Sequence, residues 1–135
     1  PVSRMVPHVP LATLFRLPVP RWTIRFYMVG DDASGDLVEL VRTAIRSVHP
    51  RLLAGRVRMI CHLDMRKECH QCRCPILYVR AARDSMVPEK CGAEIAALNP
   101  QVSLVTVDAP HFVLQRRPRE VWGHIQTFTD GTIGI

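Results

Sequence analysis

No stretch of this sequence approaches the roughly 18 to 20 consecutive apolar residues that a membrane-crossing helix needs, and no charged, apolar, small-residue leader opens it. Those two lacks lead to the expectation of a soluble, cytoplasmic protein with no membrane partner. Lysine is nearly missing, since sixteen of the eighteen basic residues are arginine. The formal net charge of +6 raises the question of an acidic partner such as nucleic acid. The arginines nevertheless run from Arg4 to Arg119 with only Arg116 and Arg117 adjacent, so no basic stripe with interleaved aromatics can be drawn. A solvated basic surface is the simpler reading, and no nucleic-acid partner is expected. The cysteine count is odd, at five, and no export signal accompanies it. Reduced thiols are therefore expected in place of a disulfide framework.

What remains suits one globular domain: 135 residues, 47% of them hydrophobic. The first residue is Pro1 and not Met, which is expected either where the start has been removed or where the sequence is a piece of something longer. Five prolines, at positions 1, 7, 10, 18 and 20, leave no room in the first twenty residues for a helix of more than about two turns. The apolar residues between them, Val6, Val9, Leu11, Leu14, Phe15 and Leu17, still require burial, so an irregular but packed lead-in is expected. Residues 22–29 suit a strand by propensity and a helix by context, and the residues alone do not decide. GDDASG over residues 30–35 reads as a loop, and Asp36 with Glu39 as a capping box that starts a helix. Leu37, Leu40, Val41, Ala44, Ile45 and Val48 form one face of that helix, which ends before Pro50. A second helix is expected over residues 51–63, with Leu52, Val57, Ile60 and Cys61 on its apolar side. The following residues, 66–73, are polar and short.

From Cys74 the pattern changes from helical to alternating. Two short runs rich in β-branched residues, at residues 75–79 and 102–107, flank a helical pattern at residues 89–98, which makes a βαβ unit. In open parallel sheets the functional groups sit on loops leaving the carboxyl ends of the strands, and Asp84 and His111 occupy two such loops. Residues 112–117 turn the chain, and Pro118 suits the first position of a final helix. Val121, Trp122, Ile125 and Phe128 supply that helix with a buried face. The Gly-containing end from Asp130 is expected to fray.

The order of these parts resembles the C-terminal half of an α/β-hydrolase. PILYVR followed by ARDSMVP resembles the family's penultimate core strand and the loop bearing the triad acid, here Asp84, with Val87 and Pro88 completing the pattern. SLVTVD followed by APHFVLQRRP resembles the last strand and the loop bearing the triad histidine, here His111. Phe112, Leu114, Gln115 and Pro118 match the family's run into its last helix, and residues 51–73 resemble the return from a helical cap to the sheet. The resemblance spans about residues 36–128 and is strongest from Pro75. It implies an α/β fold in which two parallel core strands with flanking helices, over residues 71–135, follow a mainly helical cap or lid segment over residues 1–70. It also implies hydrolysis of a small ester or related acyl compound without cofactor or metal. His111 would act as general base and acid, and Asp84 would orient it.

The resembling pattern departs from the family at one point. The family's nucleophile lies in a GxSxG elbow, and none surrounds Ser3, Ser34, Ser47, Ser85 or Ser103. The chain is therefore expected to be inactive alone, and catalysis to require an N-terminal hydrolase segment on the same or another polypeptide. Two other readings stay open: a non-catalytic hydrolase-like module that binds a partner, and a small metal-binding domain built on Cys69, His70, Cys72 and Cys74 with Cys61 and His62. Against the latter, free cysteine often serves as a small hydrophobe. Asp108 is the second choice for the acid. Trp22, Phe26, Tyr27 and Met28 are expected to be plain core, with an acyl pocket as the alternative, and His124 a surface residue. Dehalogenases and C–C hydrolases share such late elements, so the reaction subtype is open.

Overall fold

A computed structural model describes residues 11–133. The first half of the proline-rich lead-in, with Val6 and Val9, lies outside the described residues, as do Ser3 and the last two positions. Helix α1 (Leu11–Leu14) is a single turn, as the flanking prolines require. Helix α2 (Arg21–Ile24) passes directly into a π-helical turn, Arg25–Val29, that ends at Gly30. Residues 22–29 are thus helical, and the strand alternative is excluded. Helices α3 (Gly35–Ser47), α4 (Pro50–His62) and α5 (Arg66–Gln71) follow. Then come strand β1 (Ile76–Ala81), helix α6 (Glu89–Leu98) and strand β2 (Val102–Val107). A short helix, α7 (Val113–Arg116), and a long one, α8 (Pro118–Ile133), close the chain. Among the described residues no helix is long and apolar enough to cross a membrane.

Several local expectations are corrected. The cap of α3 is Ser34 and not Asp36: its hydroxyl accepts from the Leu37 amide at 3.3 Å. Glu39, the other half of the expected capping box, is drawn instead to Arg21 at 2.6 Å and Arg42 at 3.5 Å. The short polar segment forms a helix over residues 66–71, and the Arg66 amide at its start donates to Asp64 at 3.2 Å. The final helix runs from Pro118 to Ile133, through most of the Gly-containing end.

β1 and β2 pair in parallel, with Ile76 opposite Val102 and Ala81 opposite Val107. Successive side chains of a strand point to opposite faces, and a helix packs on each face. Gly92 of α6 approaches one face so closely that a Cβ there would stand 2.9 Å from the Tyr78 ring and 3.3 Å from the Leu104 side chain. On the other face Val107, Ala109 and Val121 form a buried cluster with Val79, Val113 and Ile125 packed on it, which docks α8 on the sheet. A second cluster, Ile24, Val29, Ala33, Val38 and Val41, joins α2 to α3. Phe112 packs on this second cluster, so the loop after β2 is attached to the helical half.

The helix faces are only partly used. On α3 the buried residues are Val38 and Val41, while Leu40 is exposed; on α4 Leu52, Met59 and Ile60 are exposed, and on α8 so is Trp122. Nothing among the described residues covers these positions, which is why the faces read from periodicity are only partly buried. Among the described residues the sheet has two strands, fewer than most sheets.

Candidate active site

The strand ladder continues beyond both strands and brings the two loops together. The Ala82 amide donates to the Val107 carbonyl at 2.8 Å, and the Arg83 amide to the Ala109 carbonyl at 3.0 Å. Asp84 therefore follows the last rung on one loop while His111 follows it on the other. Their side chains meet, with His111 Nδ1 2.8 Å from Asp84 Oδ2. A carboxylate can only accept, so Nδ1 carries the proton and Nε2 is left as a base.

Asp84 is held at both oxygens. Its Oδ1 accepts from the Met86 and Val87 amides, each at 2.8 Å, which folds the loop into a turn over the carboxylate. Burial pushes the Asp84 carboxyl up, but it is outweighed by the hydrogen bonds from His111 and the Val87 and Met86 amides and by electrostatic attraction to His111, which together hold the carboxyl below its ordinary value. The Asp84 side chain is 11% exposed and that of His111 is 30% exposed, so the acid is enclosed and the imidazole reaches solvent. Both border a recess of about 180 Å³ whose other walls are Tyr78, Val79, Arg80, Ala81, Val87 and Val113.

The histidine loop is anchored from the helical half. The Phe112 amide donates to the Met28 carbonyl at 2.9 Å, and Arg116 reaches Asp32 at 2.5 Å. Gly30, at φ 88° and ψ 155°, occupies backbone space that favours glycine, and a Cβ there would press on Asp32 and Pro110. Arg25 holds this turn by donating to the Asp31 and Ala33 carbonyls, both at 2.7 Å. These anchors are not visible in the sequence except as the isolated glycine of Val29-Gly30-Asp31.

The other candidates fall elsewhere. Asp108 is 74% exposed and pairs with Arg83 Nε at 2.7 Å, so it does not face the imidazole. Among the described residues no three His, Cys, Asp or Glu side chains gather closely enough to hold a metal ion. His70 and His62 instead bond the Leu98 and Arg58 carbonyls, and Cys72 and Cys74 face each other. Trp22, Phe26 and Tyr27 are exposed, Trp22 to 67%, which overturns their assignment to the core: Ile24 and Val29 turn inward in their place. Met28 packs on that cluster and lines an apolar cleft of about 360 Å³ with Leu37, Leu40, Val41 and Phe112. His124 is half-buried on α8. Of the serines, Ser34 caps α3 and the Ser47 hydroxyl donates to the Ala44 carbonyl at 2.8 Å.

No protein-family model matches the chain, and no curated protein matches its sequence. Solved structures do. A hydrolase from Pseudomonas aeruginosa PA01 superposes with a TM-score of 0.67 at 21% identity, over 95% of this chain and 48% of that one. The enol-lactonase from Burkholderia xenovorans LB400 superposes with a TM-score of 0.62 at 19% identity, over 94% of this chain and 48% of its own. The chain spans about half the length of each. The likeness is one of fold, and the fold of this chain is that of part of an α/β-hydrolase.

Proposed function

We propose that this chain supplies the acid and the base of a Ser-His-Asp hydrolase acting on an ester or related acyl compound, with the nucleophile contributed by an N-terminal hydrolase segment on the same or another polypeptide. The observation that carries the reading is the 2.8 Å bond from His111 Nδ1 to an enclosed Asp84 carboxylate. That bond holds the imidazole in the tautomer whose Nε2 accepts a hydroxyl proton. Nε2 would take the proton of the incoming serine as its oxygen attacks the acyl carbon, then return it to the leaving group. Asp84 stabilises the imidazolium formed between the two steps.

Three features support completion by a further segment. β1 pairs on one side with β2 and with no other described strand; apolar positions on α3, α4 and α8 stand exposed; and the chain spans about half of its structural neighbours. On this reading residues 1–70 form part of a cap and residues 71–135 the end of the hydrolase core. An enol-lactonase acts, by its name, on a cyclic ester, the substrate class proposed for this chain. A non-catalytic partner-binding module is the second reading, favoured by the lack of a GxSxG elbow around any serine of the chain.

The deciding experiment is to express the polypeptide with its upstream coding sequence and assay a short activated ester together with a serine-directed phosphonate probe. Hydrolysis and labelling are expected, and His111→Ala should abolish turnover; turnover that survives the substitution removes His111 from the mechanism. The 135-residue chain alone is expected to be inactive. Esterase activity from the purified chain would reveal a nucleophile within it, and an inactive longer polypeptide would favour the binding module.

A further inference from the structure

At the opposite end of β1 from Asp84 lies a second cluster of reactive groups that the hydrolase reading does not use. Cys72 ends α5 and Cys74 stands two residues before β1, with only Arg73 between them. Their Sγ atoms are 3.1 Å apart, and Cys74 is exposed while Cys72 is half-buried. The segment that presents them is fixed from below by Asn99, the one buried polar residue among those described. Its Nδ2 donates to the Cys69 carbonyl at 2.6 Å and the Cys72 carbonyl at 2.9 Å, while its Oδ1 accepts from the Gln101 amide at 2.8 Å. The end of α5 is thereby tied to the turn before β2, with the two thiols facing each other.

We propose that Cys72 and Cys74 are a redox modification site, a dithiol that closes reversibly to a disulfide by exchange with a low-molecular-weight disulfide. The Cys72 thiolate attacks one sulfur of the small disulfide, forming a mixed disulfide and releasing one small thiolate. Cys74, on losing its proton, attacks the Cys72 sulfur; the Cys72–Cys74 bond forms, the mixed disulfide breaks and a second small thiolate leaves. Two protein thiols are oxidised, one small disulfide is reduced to two thiols, and the two protein protons pass to them.

The order of attack has a physical cause. The Sγ–Sγ hydrogen bond, in which either sulfur can donate, holds the Cys72 thiol down and the Cys74 thiol up, which favours Cys72 as the first nucleophile. Closing a loop over one intervening residue removes little entropy from the unfolded chain, so the bond adds little stability. An exposed bond of that kind belongs with the labile, responsive disulfides and not with the structural ones. A competing pairing is Cys69 with Cys91, which line a common cleft between α5 and α6.

The test uses the reduced 135-residue chain and glutathione disulfide, with free thiols alkylated at intervals and the sites mapped by mass spectrometry. The expected result is loss of two hydrogens from the segment holding Cys72 and Cys74 before any other thiol is consumed, reversed by excess glutathione. C72S and C74S should each lose the closure, and C61S/C69S/C91S, which keeps only the proposed pair, should retain it. A lasting glutathione adduct without closure, prior formation of Cys69–Cys91, or a spread of bonds over several pairs would overturn the proposal. The result is independent of whether the chain belongs to an active hydrolase.

Discussion

The helical stretch from Leu11 to His62 and the βαβ unit with its final helix are both patterned in apolar residues, yet the two patterns specify different things. In the helices periodicity defines a face without defining what the face meets: Val38 and Val41 of α3 are buried, whereas Leu40 beside them and Leu52, Met59 and Ile60 of α4 are exposed. In the βαβ unit a single register, Ile76 opposite Val102 through Ala81 opposite Val107, also sets where the two following loops begin. Backbone hydrogen bonding is obligatory and discrete, so a strand pair carries its loops to defined positions. Packing of an amphipathic helix is neither, and awaits a partner.

The comparison can be tested by substitutions ordered by expected effect. Ile24→Ala opens a cavity in the cluster that joins α2 to α3 and should cost about 2–5 kcal/mol in urea unfolding followed by circular dichroism. A cost near zero would show that the helical stretch has no stable core of its own. Gly30→Ala forces a side chain into a left-handed turn against Asp32 and Pro110, and about 1–3 kcal/mol should be lost. If the loss is confined to the turn, with the His111 resonances in NMR spectra unmoved, the anchoring of the histidine loop by the helical half is disproved.

A smaller effect, limited to acid, is expected at Asp84. Its folded value lies below the ordinary one, so its contribution to stability is complete above the ordinary carboxylate value of about 4 and is lost as pH falls through the lower folded value. Asp84→Asn should flatten that acid limb of the midpoint-against-pH curve, and an unchanged limb would contradict the hydrogen-bonded carboxylate. Smallest of all, Leu52→Ala on the exposed face of α4 should change stability by no more than about 0.5 kcal/mol. A larger loss in the isolated chain would mean that this face is already covered, for instance by self-association, which sedimentation would reveal.

The sequence made some of the site visible and hid the rest for a physical reason. Asp84 and His111 are legible because each follows a short β-branched run, and the ends of parallel strands are where such groups collect. The Asp84 turn is legible too, since an Asp followed by Ser, Met and Val can close on its own following amides. Asp84 ranks ahead of Asp108 on the sequence because Asp108 directly ends its strand; that Arg83 takes Asp108 while His111 bonds Asp84 is seen only in the structure. The capping box expected at Asp36 and Glu39 is not formed: Ser34, one residue before the helix, accepts from the Leu37 amide, and Glu39 turns to Arg21. The aromatic run from Trp22 was misread as core because hydrophobic content does not indicate which side of a helix faces inward.

The sequence by itself determined the helices over residues 36–63, the βαβ unit and the placing of an acid and a base on two successive loops, because these depend on local propensity and on the alternation of neighbouring residues. Tertiary structure alone decided that the His111 and Asp84 side chains meet at bonding distance while Arg83 takes Asp108, that Phe112, Gly30 and Arg116 tie the histidine loop to the helical half, and that Asn99 holds the Cys69 and Cys72 carbonyls. Each of those depends on residues 25 to 84 positions apart in the chain, and distance along a chain carries no information about direction in space until the backbone has closed.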